Sequence, residues 1–202
     1  MVIRAGVMEA EAVRRSAERT FDRFAVYGIS VEGVVGTSVL DACRNSQTLL
    51  VYRQVRLSTF GRLREAAFAV LATFEHPHFT VVLPDLSELT LARLDRVVDP
   101  PIPNPAGPPA RYRRPRHDGG RPVTPRPDLW VDFMDMTKDR RLFSRLVDAR
   151  PGFTPVEGGY AVVADDGSEP RVARILEITD GLIDLEVLHG PVEQHRDLLA
   201  RA

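Results

Sequence analysis

Hydrophobic and polar side chains repeat with two different periods along this 202-residue chain, and the periods predict where helices and strands lie. Between Glu9 and Tyr27 apolar residues recur at helical spacing, and charged residues fill most of the other positions. This spacing predicts an amphipathic helix, with Gly28 as its C-terminal stop.

Three shorter helices are predicted in the first half from residues that can cap a helix N-terminus. Ser and Thr side chains accept hydrogen bonds from the first free amides of a helix. Thr37 or Ser38 would therefore begin one helix, Ser58 a second, and Ser87 a third that ends before the proline pair at 100–101.

Runs rich in β-branched and aromatic residues fill the intervals between these helices and predict strands. They are ISVEGVV (29–35), LLVYRQVRL (49–57), AVLATF (69–74) and FTVVLP (79–84). The last two flank EHPH, which predicts a hairpin.

The last third of the chain is also predicted to be mainly β. Residues 129–133 (LWVDF) form one predicted strand, and three more follow, separated by Asp-Gly turns at 165–168 and 179–181. Asp-Gly supplies the positive φ angles that tight hairpin turns need. Thr137 would cap one or two helical turns before these strands, and a terminal helix would start at Pro191.

Together these elements predict an α+β protein built from two modules. Residues 1–98 would form an α+β domain, residues 99–128 a proline- and arginine-rich linker, and residues 129–202 a small mainly-β, SH3-like domain with a terminal helix. Ten prolines between residues 100 and 127 exclude a helix there and favour stiff, extended segments.

Two resemblances accompany these patterns. The order YGISVEG, VRLSTFGRLREAAF and HFTVVLPD, followed by a proline-rich spacer, resembles uncharacterised two-module proteins of high-GC bacteria and implies no catalytic motif. The last segment is similar in outline to SH3-like barrels of the KOW class, which implies a small barrel. It lacks the basic residues and the Lys-Gly pair of the first KOW hairpin, so the nucleic-acid role of that class does not carry over.

Composition narrows the class of protein. Hydrophobic residues make up 44% of the chain and charged residues 27%, close to the globular average, which excludes wholesale disorder. The single cysteine, Cys43, excludes an internal disulfide and indicates a reducing compartment. The N-terminus lacks the apolar core of a signal peptide, and the apolar run 66–74 is too short to span a bilayer, so a cytoplasmic protein without membrane contact is predicted.

Charge is distributed unevenly, with net +1 over residues 1–98, +3 over residues 99–128 and −5 over residues 129–202. The basic segment contains a cluster made of Arg111, Tyr112, Arg113, Arg114 and Arg116. Because arginine neutralises phosphates and tyrosine stacks on bases, this basic cluster is the candidate contact for nucleic acid or another anionic ligand. The alternatives are a solvated linker, or an arm that docks on the acidic last segment of its own chain.

The candidates for a metal site are His76, His78 and Asp85. A regular strand would place the two histidines on the same side, and two histidines with a carboxylate form a familiar metal set. Pro77 lies in the predicted turn between the histidines, and two exposed turn histidines without a metal are the competing interpretation. The sequence predicts neither a bound metal nor another cofactor.

Structural roles are predicted for the cysteine and for three acidic residues, Asp132, Asp135 and Asp139. Asp132 would face solvent from its predicted strand, while Asp139 would interact favourably with the dipole of the predicted helix after Thr137. Cys43 would be buried, because a reactive thiolate needs a cationic, partly exposed setting. No catalytic residue is predicted.

The modular pattern without a catalytic signature predicts a non-enzymatic interaction or regulatory protein that binds another protein or a second copy of itself. The alternative is a nucleic-acid-associated regulator, such as an antitoxin-like component, that uses the basic cluster. A third interpretation is an enzyme whose site no motif marks.

Changing the four arginines of the basic cluster to alanine separates these interpretations. We expect little change in nucleic-acid affinity, because the acidic last segment is tethered to the basic cluster and competes effectively with a dilute polyanion. We also expect faster proteolysis near Gly119 and Gly120, because the variant would release the arm from the acidic segment into solvent. Affinity measured at several salt concentrations and limited proteolysis provide the readouts. Unchanged proteolysis, with a log–log salt slope that falls by about 0.9 for each lost phosphate contact, would make the cluster a nucleic-acid site.

Overall fold

The computed structural model describes residues 1–73, 77–107 and 126–199. It contains both α-helices and β-sheets, in agreement with the α+β prediction. Within these residues, no helix is long and apolar enough to cross a membrane. The module boundaries after residues 98 and 128 stay predictions.

Six antiparallel strands form the first sheet: β1 (Val2–Ala5), β2 (Gly28–Gly33), β3 (Gln54–Ser58), β4 (Ala69–Ala72), β5 (His78–Val82) and β6 (Ile102–Pro103). Their order across the sheet is β4-β5-β2-β1-β3-β6. All four residues of β1 pair with β3, but β1 pairs with β2 only at Val2 and Ile3. The ladder between β1 and β2 therefore ends after Ile3. The hairpin of β4 and β5 confirms the strand predictions on either side of EHPH.

Four helices accompany this sheet: α1 (Ala10–Phe24), α2 (Val39–Asn45), α3 (Phe60–Glu65) and α4 (Glu88–Val97). The capping predictions are confirmed for Ser38 and Ser87, whose hydroxyls accept backbone amides at the start of α2 and α4. The prediction that Ser58 caps α3 is wrong. Thr59 caps that helix, and the hydroxyl of Ser58 donates instead to the carbonyl of Val97.

The predicted helical stop at Gly28 is also wrong. Helix α1 ends at Phe24, and its C-cap residue Ala25 has the left-handed conformation with φ of 58°. Gly28 begins β2, where a Cβ atom would lie 2.4 Å from Cγ2 of Thr80 on the neighbouring strand. Close packing between strands therefore explains the glycine at this position.

Five strands form the second sheet: β7 (Leu129–Trp130), β8 (Arg141–Arg145), β9 (Tyr160–Ala164), β10 (Arg171–Thr179) and β11 (Leu182–Val187). Their order is β7-β9-β10-β11-β8, with a parallel pair between β7 and β9 and antiparallel pairs elsewhere. The predicted Asp-Gly turns join β9, β10 and β11, and Gly167 and Gly181 have φ of 83° and 82°.

The helix predicted after Thr137 is a strand instead. Thr137 closes a tight turn, in which its hydroxyl accepts the amide of Arg141. The chain then enters β8, whose apolar residues Leu142 and Phe143 are buried where the strand pairs with β11. Tertiary pairing therefore overrides the local capping signal. The terminal segment forms a 3₁₀ turn over Val192–His195 and then the short helix α5 (Arg196–Leu199).

Alternation along β1 directs its side chains into two separate hydrophobic cores. Val2 packs with α1, α3 and α4 in a core on one face of the first sheet. Ile3 and Ala5 point the other way, into a core that also contains Phe133 and Leu185 from the second segment. The first sheet is therefore covered by α1, α3 and α4 on one face, and by the second segment together with α2 on the other.

Polar side chains hold the chain on both sides of residues 108–125. The buried amide of Asn104 donates to the carbonyls of Leu49 and Tyr52 at 2.8 and 2.9 Å. On the other side, the carboxylate of Asp128 accepts the amide of Val162 and a guanidinium hydrogen bond from Arg150. The described residues on either side of 108–125 are thus tied to the folded core.

Because the two sheets share a core, a cavity beneath the helices should destabilise the whole molecule. We expect Leu94→Ala to lower the free energy of unfolding by about 2–5 kcal/mol. The fluorescence of Trp130, which lies in the second sheet, should report the same shift of the denaturation midpoint as circular dichroism.

Leu89→Ala is the matched control, because Leu89 lies on the same helix and is 73% exposed. It should change the free energy by less than about 0.5 kcal/mol. An unchanged Trp130 midpoint in Leu94→Ala would show that the two segments unfold independently.

Candidate functional site

A buried arginine lies where the ladder between β1 and β2 ends. Arg4 is 5% exposed. Its Nη1 donates to the carbonyl of Ser30 on β2 at 2.8 Å, and its Nη2 donates to Oδ2 of Asp132 at 2.8 Å. One guanidinium thus joins two strands of the first sheet to the second segment.

Asp132 is buried, which overturns the expectation that it faces solvent. The predicted strand ends at Trp130, and Asp132 begins a 3₁₀ turn over Phe133–Asp135. Its Oδ1 accepts the amide of Met134 at 2.9 Å, and its Oδ2 accepts hydrogen bonds from Arg4 and Ser16. The turn therefore points this carboxylate inward, toward β1 and α1.

Two further carboxyl groups from the second segment lie near Asp132 at the same boundary. Asp135 accepts a hydrogen bond from the hydroxyl of Ser30, and Asp165 accepts one from the hydroxyl of Tyr52. We call Asp132, Asp135 and Asp165 the acid cluster. It brings three carboxyl groups from 129–199 against residues of the first sheet.

The environment separates the pKa values of the acid cluster. Burial alone would raise the pKa of Asp132, but the charge of Arg4, helped by Arg19 and by hydrogen bonds, lowers it to about 2. Burial and the negative charge of Asp132 raise the pKa of Asp135 to about 7, and the same two causes raise the pKa of Asp165 to about 7. Like charges in a buried site cannot all ionise together, so the cluster retains protons near neutral pH.

A second ionic cluster links α1 to β8 and the turn after it. Asp148 accepts two hydrogen bonds from Arg145, at 3.0 and 3.1 Å, and lies 3.4 Å from Arg19. Arg145 also contacts Glu18 and Asp22 on the outer part of α1. These contacts hold helix α1 against the second segment.

The metal-site candidates do not form a metal site in the described part of the chain. His78 is buried, and its Nδ1 hydrogen-bonds to the hydroxyl and carbonyl of Thr73. Asp85 is exposed and accepts the amide and hydroxyl of Ser87. No group of three His, Cys, Asp or Glu residues able to hold a metal ion occurs among the described residues. His76 lies outside them, as does the basic cluster Arg111, Tyr112, Arg113, Arg114 and Arg116.

The structure confirms the predicted burial of Cys43 but not the predicted role of Asp139. Cys43 is buried as expected, and burial together with the charge of Glu32 raises the pKa of its thiol to about 11. Asp139 is exposed in the turn beside Thr137, whose hydroxyl it accepts at 2.5 Å, so it has no helix dipole to interact with.

A groove of about 900 Å³ opens on the helical side of the first sheet. The start of α1 and the loop before it line one end, α4 lines one wall, and β3 and β6 line the other. Met8, Val13, Leu91 and Leu94 are buried and form an apolar floor. The groove thus combines an apolar interior with polar edges.

Charges along the groove are balanced. Among its lining residues, Arg14, Arg53 and Arg56 are opposed by Glu9, Glu88 and Asp95. Arg56 and Asp95 face each other from β3 and α4 and form an ion pair at 2.7 Å. The groove carries no net charge, in contrast to the basic segment at 99–128.

Reasoning from the sequence missed both Arg4 and the groove. One usable signal for Arg4 was its position in the strand VIRA, where strand periodicity places an arginine on the same face as Val2. An arginine on an apolar face needs a buried anionic partner. The groove carried no local signal, because its walls come from separate elements, α1, β3, α4 and β6, that only the fold brings together.

The chain matches no family model, no curated protein and no solved structure. The resemblances to two-module proteins of high-GC bacteria and to KOW-type barrels stay predictions. The site must be interpreted from its own geometry.

Neutralising Asp132 should be strongly destabilising. We expect Asp132→Asn to lower the free energy of unfolding by about 3–5 kcal/mol, because it leaves Arg4 buried without a counter-charge. Urea denaturation measures the change. Asp139→Asn is the matched control and should have an effect below about 0.5 kcal/mol. A loss below about 1 kcal/mol in Asp132→Asn would show that Arg4 does not depend on this carboxylate.

Proposed function

We propose that this chain is a non-enzymatic binding protein whose groove holds a short amphipathic peptide segment of a partner protein. The observation that carries the proposal is the apolar floor, flanked by three arginines and three carboxylates. Such a groove accepts apolar side chains in its interior and polar side chains of either sign along its edges.

The balance of charge favours a peptide over a nucleic acid in the groove. Binding of a polyanion requires a positive surface that neutralises several phosphates. Here Arg56 already faces Asp95, and Arg53 faces Glu169 on the second segment. A charged side chain of a peptide, of either sign, can replace the like-charged partner in such an ion pair.

The edge of the sheet beside the groove does not suit strand addition. Pro101 and Pro103 line the groove at β6, and proline lacks the amide that a new strand would need. Recognition would therefore rest on side-chain contacts with the floor and the edges. The partner would not add a strand to the sheet.

The proposed function includes a two-module architecture. A front α+β module and a small SH3-like module, joined by the proline-rich linker, would act as one cytoplasmic interaction protein. The five-stranded second sheet with its two tight turns supports the SH3-like description. A second copy of the chain is the alternative source of the bound segment.

A nucleic-acid-associated regulator remains the second candidate function. It rests on the basic cluster at 111–116, and the neutral groove does not contribute to it. An enzyme is the weaker alternative, because burial and the contacts of Asp132 and Asp135 with Arg4, Ser16 and Ser30 explain these acids structurally.

Filling the groove should abolish peptide binding. Peptides selected on the wild-type protein from a random displayed library should bind Ala92→Trp at least about tenfold more weakly, because Ala92 is exposed in the wall of the groove. Fluorescence polarisation with labelled peptides measures the dissociation constants.

Leu89→Trp is the matched control, since it adds the same side chain to α4 outside the groove. It should leave the affinity unchanged. Selection of no peptide, or equal binding to both tryptophan variants, would refute the groove as the binding site.

A further inference from the structure

The acid cluster reaches one end of the groove through a single turn. Gly6 and Gly167 both line the groove. A Cβ atom on Gly6 would lie 3.2 Å from Cε1 of Tyr52 and 3.7 Å from Oδ2 of Asp165. The turn at 165–168 therefore belongs to the groove through Gly167 and to the acid cluster through Asp165.

Hydrogen bonds to Asp165 hold this turn in place. Its Oδ2 accepts the hydroxyl of Tyr52, and its Oδ1 accepts the amide of Asp166 at 2.7 Å. Asp166 in turn pairs with Arg15 on α1 at 2.5 Å. The backbone also joins this turn to the first segment, through a β-bridge between Tyr52 and Ser168 and a hydrogen bond from the amide of Glu169 to the carbonyl of Val51 at 3.0 Å. The side chains of Asp165 and Asp166 therefore hold the tip of the turn, while backbone pairing holds its base.

Few positive charges balance the three carboxyl groups. Arg4 on β1 bonds directly to Asp132, while Arg19 on α1 faces Asp148. The other titratable groups that act on the cluster are the hydroxyl of Tyr52 and the imidazole of His78 on β5. Full ionisation would place two buried carboxylates and the partly buried carboxylate of Asp165 against one bonded guanidinium, which is unfavourable unless the carboxyl groups gain water.

We propose that the acid cluster is a proton-operated latch for the turn at 165–168. With a proton on Asp135 or Asp165, the turn is held against Gly6 and Tyr52. With all three carboxyl groups ionised, Asp165 moves toward water, and the end of the groove opens. The consequence for ligand binding rests on the proposed function of the groove, whereas the latch itself does not.

The pKa shifts give the direction of the effect. The pKa values of Asp135 and Asp165 are raised from 3.8 to about 7, so the closed state holds protons that an open, hydrated state releases. The stabilisation of the closed state is therefore complete at low pH and is lost as the pH rises through about 7. Asp132, with its pKa lowered to about 2, stays ionised across this range and does not contribute to the change.

Amide hydrogen exchange of the full chain tests the latch. Exchange rates at Asp166 and Ser168 are measured by NMR between pH 5.5 and 8.5 and divided by the intrinsic rates at each pH. We expect protection in the wild type to fall by at least about tenfold over this range, because below pH 7 each proton released on opening changes the equilibrium by a factor of ten for every pH unit. Asp165→Asn keeps the shape of the side chain without its charge, and its protection should change less than about twofold.

Asp180→Asn is the matched control, because Asp180 is exposed in the other Asp-Gly turn. It should keep the wild-type pH dependence. If Asp165→Asn does not fold, Asp135→Asn provides the same test, since it removes the other titrating carboxyl group. A flat wild-type profile, an unchanged slope in the folded Asn variant, or an equal flattening in Asp180→Asn would each overturn the latch.

Peptide affinity measured at the same pH values separates the two proposals. A peptide that binds with higher affinity at pH 5.5 than at pH 8.5, with the difference lost in Asp165→Asn, would support the coupling of latch and groove. Binding that is independent of pH would overturn the coupling. If no peptide binds at any pH, the proposed function fails, and the exchange data alone decide the latch.

Discussion

The hydrogen bond between Arg4 and Asp132 is the constraint on which the arrangement of the two sheets depends. A buried guanidinium must find a negative partner, and here the partner lies 128 residues away in the second segment. A buried ion pair adds little net stability compared with apolar packing, but breaking one side is strongly unfavourable. Removing either partner alone would therefore leave a buried, unpaired charge at the boundary between the two segments.

Apolar packing follows the geometry that this bond imposes. With Asp132 fixed beside β1, Phe133 and Met134 enter the core between the sheets together with Ile3 and Leu185. Hydroxyl groups on α1 and β2 complete the hydrogen bonds of the carboxylates. Polar and apolar contacts alternate along the boundary between the two segments. Either segment alone would therefore expose apolar and charged side chains that the whole protein buries.

Local signals were sufficient for much of the fold. The caps at Ser38 and Ser87, the amphipathic helix α1 and both Asp-Gly turns depend on residues close in sequence, and pattern reasoning found them. The strand β8 was missed because its pairing with β11 outweighs the local signal of Thr137. Asp132 was misplaced for a similar reason, since its burial depends on Arg4 and Ser16, more than 100 residues away. Sequence patterns therefore predicted the elements well but not the contacts that create the candidate site.

The hydrogen bonds of Asn104 and Asp128 have a consequence for the history of the chain. Each residue fastens its own side of the proline-rich segment to a different part of the core. Because loop-closure entropy grows only slowly with length, insertions within residues 108–125 should cost little as long as both anchors remain. Over evolutionary time we therefore expect related chains to differ in the length of this segment before they differ in the length of the strands.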